Sequence, residues 1–577
     1  MNRWMSGPSL GRCGDLWELL RSALATRPDA EAVIDPLWKL SLTGRELLRE
    51  VESAAGRLWS AGARSGDRVL IDLPHSADEV VNVLACIRQG FTYVGVDQQQ
   101  SAEARARMAE DCRPRLAVTT RPAAWEPLTT VIPGLSPVAD RVSHIPRADE
   151  DPCYISYTSG TTGRPRGVEI PRAGVDRLVR GSGYCALDPG QRFLRYAPLA
   201  FDASTLELFV PIWRGATIVI GPSTPLDLTE LATFIEENSI DACWLTAGLF
   251  SALVDHQPTS FRNVRQVLTG GDRVSAAAVS HLLSAFPRLS VVNGYGPTES
   301  TTFATVEVVT AKHLPLRTVP IGSPVGDTEV AIAENGELLI AGRGLATGYW
   351  KDPELTAARF SVVDGRRVYR TGDRVSMDNG VLHFHGRRDR QVKIRGYRVE
   401  PAAVDETLRQ VGAVAESWTF GSESSGGDTV LVCAYVARRN AFRVASELRA
   451  ELRAAGLPGH SLPHHFYPVD RLPLTPNGKV DQAVLARKST ADITTVVLGE
   501  EQGDEPVTDI VRSIWTEVLP DGHFANDDGF FEVGGDSLRL AKLHALLRER
   551  FPETNLKLVD LLTHPTVEQQ AMRLETA

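Results

Sequence analysis

Runs of apolar, β-branched residues alternate with stretches of helical spacing along most of this sequence. Residues 69–71 (Val-Leu-Ile) and 217–220 (Thr-Ile-Val-Ile) are typical of buried strands, and residues 77–88 have the apolar spacing of a helix. Strands that alternate with helices generally pack as a largely parallel sheet covered by helices. We therefore predict a large α/β subdomain with mixed sheets over residues 1–388.

The pattern changes beyond this subdomain. A basic, strand-like segment at 391–395 precedes a helix-like segment at 401–410, which predicts a small α+β subdomain over residues 389–488. A chain of 577 residues exceeds what one hydrophobic core usually supports, so several domains are expected.

The last part of the chain predicts a separate helical domain. Residues 489–506 are rich in small and acidic residues and have no helical periodicity, as in a linker. Leu540, Leu543 and Leu547 recur at helical spacing and can form one buried stripe. We therefore predict a small all-α domain over residues 507–577, for which the family resemblance given below implies a four-helix fold.

Composition and charge exclude several classes of protein. Hydrophobic residues make up 43% of the chain and charged residues 23%, as in ordinary globular proteins. The formal net charge of −10 argues against nucleic-acid binding, and the absence of a long apolar run or a signal-like start argues against membrane insertion and secretion. The seven cysteines lack metal-binding or redox spacing, so we expect reduced thiols and a cytoplasmic protein.

A loop rich in glycine and hydroxyl residues follows an apolar run that ends at Ile155. Glycines let the backbone approach an anion closely, while hydroxyls and amides donate to phosphate oxygens. The loop lacks the Gly-Lys-Ser/Thr of a Walker motif, and a loop of this composition by itself is more often an ordinary linker. The residues that we expect to contact phosphate are Thr158, Ser159, Gly160, Thr161, Thr162, Gly163 and Arg166.

Three further segments carry groups that suit a nucleotide. Residues 293–299 (Asn-Gly-Tyr-Gly-Pro-Thr-Glu) offer an aromatic face, a hydroxyl and a carboxylate. Residues 369–373 end in Asp373, whose carboxylate can accept from ribose hydroxyls, and residues 472–481 place Lys479 in a tight loop. Each segment alone is also typical of a turn or a solvated surface.

Together and in this order, these segments resemble the adenylation domains of nonribosomal peptide synthetases, within the adenylate-forming superfamily. Residues 201–204 (Phe-Asp-Ala-Ser), 336–344 and 386–396 belong to the same resemblance, which extends over nearly the whole chain. It implies that ATP and Mg²⁺ are used. One departure concerns Arg166, since the family usually has lysine there; the charge is kept, but a planar fork replaces a point charge.

The resemblance implies a role for each catalytic and nucleotide-binding residue. Lys479 would bridge the attacking carboxylate and the α-phosphate, and Glu299 would hold Mg²⁺ beside Thr298, which would contact the phosphate. The adenosine would be bound by Asn293, by Tyr295 stacked on adenine, and by Asp373 with Arg387 at the ribose. The small subdomain would rotate about Asp389, removing Lys479 and bringing Gly396 to the site for a second, thioester-forming step.

Residues 528–538 (Asp-Gly-Phe-Phe-Glu-Val-Gly-Gly-Asp-Ser-Leu) look like the attachment site of a peptidyl carrier protein. Ser537 would begin a helix and carry 4′-phosphopantetheine, which requires a phosphopantetheinyl transferase as a partner. A plain helix-capping serine is the structural alternative.

The same resemblance assigns an amino-acid pocket. Asp202 would pair with the substrate ammonium, because a buried ammonium without a partner is costly. The remaining pocket residues are Ala203, Leu206, Trp244, Leu268, Gly270, Gly294, Thr302 and Phe303, with Lys479 closing the set. These walls are aliphatic and aromatic, which favours L-valine, although isoleucine, alloisoleucine and 2-aminobutyrate differ too little from valine to be set aside.

Two other functions share part of this pattern. A stand-alone acyl-CoA or aminoacyl-CoA ligase would have the same fold but would need neither Asp202 nor the Ser537 segment. A non-catalytic carrier scaffold is disfavoured by the intact Lys479, Asp373 and Glu299. No His-His-x-x-x-Asp-Gly condensation motif is visible, so we expect a condensation or tailoring enzyme in trans; whether an MbtH-like protein is also needed stays open.

Overall fold

The chain folds into two compact units. The computed structural model describes residues 4–11, 14–98, 100, 102–134, 142–158, 166–223, 226–387, 391–394, 397–411, 414–423, 429–437, 445–469, 471–473, 480, 482, 484–486, 507–519, 524–531, 533, 535, 537–551, 554 and 556–575. The first unit comprises Met1–Thr158, Pro165–Pro225 and Ala232–Asp389. The second comprises Ser159–Arg164, Leu226–Leu231 and Arg390–Ala577.

Ten α-helices are described up to residue 359. They are α1 Leu16–Thr26, α2 Gly44–Ser60, α3 Ala77–Gln89, α4 Ala102–Cys112, α5 Arg172–Arg180, α6 Ala203–Arg214, α7 Leu228–Glu237, α8 Ala247–His256, α9 Ala276–Ala285 and α10 Pro353–Arg359. Their ends follow local chemistry, as α3 illustrates. The Ser76 side chain accepts a hydrogen bond from the backbone N–H of Glu79 at the start of α3, and Gly90 adopts a left-handed conformation at its end.

A nine-stranded sheet forms one layer of the first unit. In spatial order its strands are Ser323–Pro324, Thr305–Val309, Ser290–Tyr295, Gln266–Gly270, Ala242–Thr246, Arg192–Arg195, Thr217–Ile220, Glu31–Asp35 and Leu40–Thr43. The strands from Ser290–Tyr295 to Glu31–Asp35 are parallel. Thr305–Val309 instead runs antiparallel to Ser290–Tyr295. The chain therefore reverses direction over residues 296–304, which we call the pocket loop.

A seven-stranded sheet forms a second layer. Its strands, in spatial order, are Gly348–Tyr349, Arg166–Pro171, Pro152–Thr158, Thr92–Gly95, Arg68–Asp72, Leu116–Thr119 and Thr130–Val131. Thr158 and Arg166 face each other at the end of an antiparallel pair, so the predicted phosphate loop lies between two strands of one hairpin.

A six-stranded sheet completes the first unit. Met5–Ser6, Thr328–Ile332, Glu337–Gly342, Arg366–Asp378 and Phe360–Val363 follow one another, and Val381–Arg387 pairs with Arg366–Asp378. In that last pair Asp373 lies directly opposite Arg387.

The predicted α/β fold class is confirmed. The apolar runs at 69–71 and 217–220 are strands within Arg68–Asp72 and Thr217–Ile220, and the helical pattern at 77–88 is α3. Mixed sheets arise because antiparallel strands are added at the edge of parallel ones.

A buried triad of charges connects two helices to the nine-stranded sheet. Arg195 donates to Glu79 of α3 at 3.0 Å and to Glu207 of α6 at 2.9 Å, and all three side chains are at most 1% exposed. Glu207 also accepts from the backbone N–H groups of Tyr196 and Ala197. Burial is the largest cause that raises the pKa of both carboxyls, to about 7 for Glu79. The triad holds the position of α6 relative to the strand before it.

The second unit contains an α+β part around a three-stranded sheet. Its strands are Val414–Glu423, Thr429–Ala437 and His465–Pro468, a two-stranded ribbon joins Val392–Ile394 to Tyr397–Val399, and the helices are α11 Pro401–Gln410 and α12 Ala445–Ala454. Their apolar faces share one core that includes Val404, Leu431 and Leu448. The predicted change of pattern after residue 389 therefore corresponds to a separate hydrophobic core.

The rest of the second unit is helical, as predicted. Its described helices are α13 Val507–Val518, α14 Ser537–Arg550, α15 Leu558–Thr563 and α16 Val567–Glu575. Leu540, Leu543 and Leu547 are all buried in its core, which confirms the predicted stripe. Arg449 of α12 donates to the Asp528 carboxylate at 3.2 Å, and both side chains are buried. This ion pair connects the two parts of the unit.

Within the residues that the structure describes, no helix combines the length and the apolar character needed to cross a membrane.

We predict that Glu79 makes the unfolding free energy fall as pH rises. The folded protein keeps a proton on Glu79 up to a pKa of about 7, whereas an unfolded glutamate releases it near 4.5. The folded state thus loses relative stability between these pH values, by up to about 3 kcal/mol. Urea unfolding at pH 5.5 and pH 8 should show a smaller difference in Glu79→Gln than in the wild type. The exposed Glu52→Gln is the control; an unchanged difference in Glu79→Gln would contradict the prediction.

Candidate functional site

The residues assigned to the amino-acid pocket meet at the carboxyl ends of parallel strands. Thr246, Gly270 and Gly294 are aligned in register across three neighbouring strands of the nine-stranded sheet. Ligands of open α/β sheets bind at this edge, where loops leave the strands. The pocket loop leaves the same edge, immediately after Tyr295.

Five pocket residues belong to one hydrophobic cluster. They are Ala203, Leu206, Trp244, Leu268 and Phe303, each at most 6% exposed. They come from α6, two strands and the pocket loop, so tertiary packing brings together positions 100 residues apart. The structure therefore gathers these five assigned residues into one apolar cluster.

Two glycines make room within this cluster. A Cβ atom added to Gly294 would lie 2.4 Å from the Phe303 ring, and one added to Gly270 would lie 2.1 Å from the Gly294 carbonyl oxygen. Neither contact is sterically possible, so the close approach of Phe303 depends on glycine at position 294, and the close approach of the Gly294 carbonyl depends on glycine at position 270.

Asp202 lies at the edge of the same cluster. It immediately precedes α6, and its own backbone carbonyl accepts a hydrogen bond from the Thr302 hydroxyl at 2.8 Å. Its side chain does not cap the helix, and the residue is half-buried. The predicted ammonium partner and the pocket hydroxyl are thus adjacent in the fold.

Three predicted nucleotide-binding residues form a hydrogen-bonded group. Asp373 accepts from the Tyr295 hydroxyl at 2.5 Å through Oδ2 and from the Arg387 guanidinium at 2.7 Å through Oδ1. Arg387 also donates to the Thr371 carbonyl. Burial raises the pKa of Tyr295 well above its usual value, and Asp373 adds to this effect. The group fixes the Asp373 carboxylate, which lies on a β-hairpin, beside the neutral phenol of Tyr295 from the nine-stranded sheet.

Glu299 is held in the middle of the pocket loop. The loop forms a short 3₁₀ turn over Thr298–Ser300, and the Glu299 carboxylate is 1% exposed. It accepts a hydrogen bond from the Tyr349 hydroxyl at 2.5 Å, and its carbonyl accepts from Ala346 N–H. A carboxylate oxygen is a ligand of the kind that Mg²⁺ prefers. A Mg²⁺ ion bound to a nucleotide needs few further ligands from the protein. Among the described residues there is no group of three or more His, Cys, Asp or Glu side chains suited to a metal.

The predicted phosphate loop is described only at its two ends. The Thr158 hydroxyl donates to the Arg166 carbonyl at 3.5 Å, closing the hairpin. Ser159, Gly160, Thr161, Thr162 and Gly163 lie outside the described residues. Asn293 directs its side-chain amide to the Pro320 carbonyl at 2.7 Å, so its described contact is with the backbone.

Three residues of the proposed domain movement, Lys479, Asp389 and Gly396, also lie outside the described residues, as does the predicted linker over 489–506. Ser537 is the first residue of α14, as predicted. The turn before it is held by Phe530, whose carbonyl accepts from Gly535 N–H at 2.9 Å. A Cβ atom on Gly535 would lie 2.3 Å from the Phe530 ring, so only glycine fits at position 535 without displacing this ring.

Sequence reasoning missed the residues that support the site from behind. Arg177 lies in α5, is fully buried and donates to carbonyls of the pocket loop. Tyr349 binds Glu299 from a distant strand. No pattern in the sequence around Arg177 or Tyr349 indicates these contacts. An arginine on an amphipathic helix is typical of the exposed face.

Comparisons with known proteins identify a family for each part of the chain. Residues 20–350 match the family model of AMP-binding enzymes, and residues 509–574 match that of the phosphopantetheine attachment site. Tyrocidine synthase 3 of Brevibacillus parabrevis is 32% identical over 96% of this chain, and surfactin synthase subunit 2 of Bacillus subtilis is 33% identical over 92%. The chain spans only 9% and 15% of the lengths of these two relatives.

A solved structure matches the chain along nearly its whole length. It is holo-PA1221, an NRPS protein containing adenylation and PCP domains, bound to a vinylsulfonamide inhibitor. The two chains are 32% identical, the match covers 98% of this chain and 97% of that one, and the TM-score is 0.83. This protein therefore belongs to the family of AMP-binding enzymes, as an adenylation domain of the nonribosomal peptide synthetase type joined to a C-terminal phosphopantetheine-binding carrier domain.

Proposed function

We propose that this protein activates L-valine as valyl-AMP, releasing pyrophosphate from ATP, and loads the valyl group as a thioester onto 4′-phosphopantetheine at Ser537. The observation that carries the proposal is the set of assigned residues gathered beside Asp202. Asp202 stands at the edge of a compact apolar cluster, in a chain that also contains a carrier domain. The domain limits that we propose are 1–388, 389–488 and 507–577, with a linker over 489–506.

The first step needs positioning more than proton transfer. An amino-acid carboxylate is already ionised near neutral pH, so no base has to create the nucleophile. One of its oxygens attacks the α-phosphorus, and the bond from that phosphorus to the pyrophosphate oxygen breaks. The protein must align the two reactants and stabilise charge at phosphorus. We assign the alignment of the amino acid to Asp202 and that of the adenosine to Asp373, Tyr295 and Arg387.

Charge at the phosphates is assigned to three groups. Thr298 contributes a hydroxyl, and Lys479 contributes a cation that would bridge the carboxylate and the α-phosphate. Glu299 would hold Mg²⁺, which supplies positive charge to the phosphate oxygens. The buried Tyr349 hydroxyl keeps the Glu299 carboxylate in a defined orientation for this purpose.

We favour valine because the assigned residues provide almost no polar groups for a substrate side chain. Its described walls present aliphatic and aromatic groups with one hydroxyl, that of Thr302, and this hydroxyl already donates to the Asp202 carbonyl. A charged or amide side chain would lose its hydrogen bonds to water, and the described residues offer few replacements beyond the Trp244 indole N–H, which has no hydrogen-bond partner. Trp244 and Phe303 occupy volume, which favours a short branched side chain. One methylene changes binding by only about 1–3 kcal/mol, so isoleucine and 2-aminobutyrate should be weaker substrates.

The partners follow from the carrier domain. A phosphopantetheinyl transferase must modify Ser537 first, since the attached arm supplies the thiol. A condensation or tailoring enzyme must then use the tethered amino acid, and an MbtH-like protein is a further candidate partner. A stand-alone CoA ligase remains the alternative function, and it would leave residues 509–574 without a role.

We predict that Asp202→Ala abolishes adenylation of every amino acid. Without the carboxylate, the substrate ammonium would be buried without a partner, which costs several kcal/mol. Amino-acid-dependent exchange of pyrophosphate into ATP measures this step. The exposed Asp188→Ala is a matched control. Undiminished exchange with valine in Asp202→Ala would show that the ammonium partner lies elsewhere.

We predict that Lys479→Ala separates the two half-reactions. Adenylation should fall by about 10²–10³-fold or more, as expected for one electrostatic group at the reacting atoms. Transfer from chemically supplied valyl-AMP to the carrier thiol should largely persist. The exposed Lys312→Ala should change neither rate. Equal loss of both half-reactions would contradict the proposed domain movement.

We predict that intact-protein mass spectrometry shows two successive increments. The protein is incubated with a phosphopantetheinyl transferase, CoA, Mg-ATP and a mixture of amino acids. A phosphopantetheine increment followed by a valyl increment is expected, and Ser537→Ala should show neither. A different aminoacyl increment would keep the enzyme class and refute valine. Absence of the first increment would refute Ser537 as the attachment site.

A further inference from the structure

We propose that Arg177 is a positioning residue that sets amino-acid affinity by holding the pocket loop from outside the pocket. This inference rests on the proposed function, because it assigns a role in binding the amino acid. Arg177 lies in α5, two residues beyond Val175, and its side chain is 0% exposed. Neither the motifs nor the pocket assignment includes it.

The guanidinium binds three carbonyls of the pocket loop. One terminal nitrogen donates to the Ser300 carbonyl at 2.5 Å and to the Thr301 carbonyl at 2.9 Å. The other terminal nitrogen donates to the Phe303 carbonyl. The planar guanidinium has several donors and reaches carbonyls on both sides of Thr302. Arg177 therefore fixes the backbone position of Thr302 and Phe303.

The pocket loop needs such support because its backbone is strained. Thr301 and Thr302 have φ values of 55° and 64°, in the left-handed region that non-glycine residues rarely adopt. A residue of this kind is energetically unfavourable and persists only where its surroundings hold it. The three hydrogen bonds from Arg177 supply such surroundings, and so the strained residues can present Thr302 and Phe303 to the pocket.

Close packing around Arg177 leaves the loop no alternative position. A Cβ atom on Gly344 would lie 2.4 Å from a guanidinium nitrogen, and one on Gly174 would lie 2.3 Å from the Thr301 hydroxyl oxygen. That hydroxyl donates to the Gly344 carbonyl at 2.8 Å. The Tyr184 ring, just beyond α5, contacts the Phe303 ring edge-on with centroids 5.9 Å apart. Phe303 is thus held through both its backbone and its ring.

Burying this arginine is costly, which argues for a function beyond packing. Its Nε has no hydrogen-bond partner, and burial lowers the pKa of the guanidinium to about 10. A neutral residue would fill the same space without desolvating a charge. What a neutral residue cannot do is donate to three carbonyls at once.

The test compares variants by steady-state pyrophosphate exchange in the full-length protein. Arg177→Met should raise the KM for valine by about 10–100-fold, the range expected for lost hydrogen bonds to a charged group. Arg177→Lys, which keeps the charge but not the fork, should show an intermediate increase. The KM for ATP should change less than about threefold in both, because Asp373 and Arg387 lie on a separate hairpin.

Arg172→Lys provides a matched control. Arg172 is on the same helix, is 2% exposed and also donates to a backbone carbonyl, that of Ile87 at 2.8 Å, away from the pocket loop. It should lower the unfolding midpoint without changing the KM for valine. If Arg177→Met fails to fold, Gly344→Ala displaces the guanidinium instead and should raise the same KM.

Three outcomes would overturn the inference. Folded Arg177 variants could retain the wild-type KM for valine, they could raise the KM for ATP as much as that for valine, or Arg172→Lys could raise the KM for valine equally. If the wild type prefers another amino acid, the same comparison applies to that substrate. A wild type that exchanges pyrophosphate with no amino acid, both alone and with an MbtH-like protein added, would refute the proposed function, and this inference with it.

Discussion

The reversal of the chain after Tyr295 is the constraint on which the rest of the site depends. A parallel strand ends there, and the chain must return antiparallel beside it within the nine residues of the pocket loop. The loop passes through the positions assigned to phosphate, metal and amino acid in turn. Its conformation therefore places groups for all three binding functions, but separate contacts hold them, because Tyr349 binds Glu299 whereas Arg177 binds the carbonyls beside Thr302.

The loop is fixed by hydrogen bonds from elements that are distant in sequence. Tyr349 holds Glu299, Arg177 holds the carbonyls after it, and Gly344 accepts from Thr301. Backbone groups of an irregular buried segment need partners, since water cannot reach them. These distant side chains satisfy that need and at the same time select one geometry for the site.

Buried charge recurs around the site. The triad centred on Arg195 holds α6, which presents Ala203 and Leu206 to the pocket. Arg177, in α5, is buried against the pocket loop. Ion pairs and charged hydrogen bonds in a core contribute little net stability, because desolvation offsets the attraction. Their directionality is what a hydrophobic core lacks, and directionality is what an enzyme site requires.

Local patterns were sufficient to identify the elements and the family. Periodicity located α3, the strand Thr217–Ile220 and the stripe on α14, because side-chain burial in regular elements repeats along the chain. Motif order identified the phosphate loop, Asp373 and Ser537 as candidates. The limits of the domains and the roles of the site residues stay predictions, with Lys479 outside the described residues.

The support of the pocket could not be derived in this way. Nothing near Arg177 in the sequence points to residues 300–303, and Asp202 meets Thr302 across 100 positions. Whether a polar side chain is solvated or buried, and which carbonyl it binds, depends on packing between elements rather than on its neighbours in the chain. The residue types and their order were thus sufficient to indicate the reaction class. Only the tertiary structure determined which side chains hold the reacting groups in place, because those contacts are made between elements far apart in sequence.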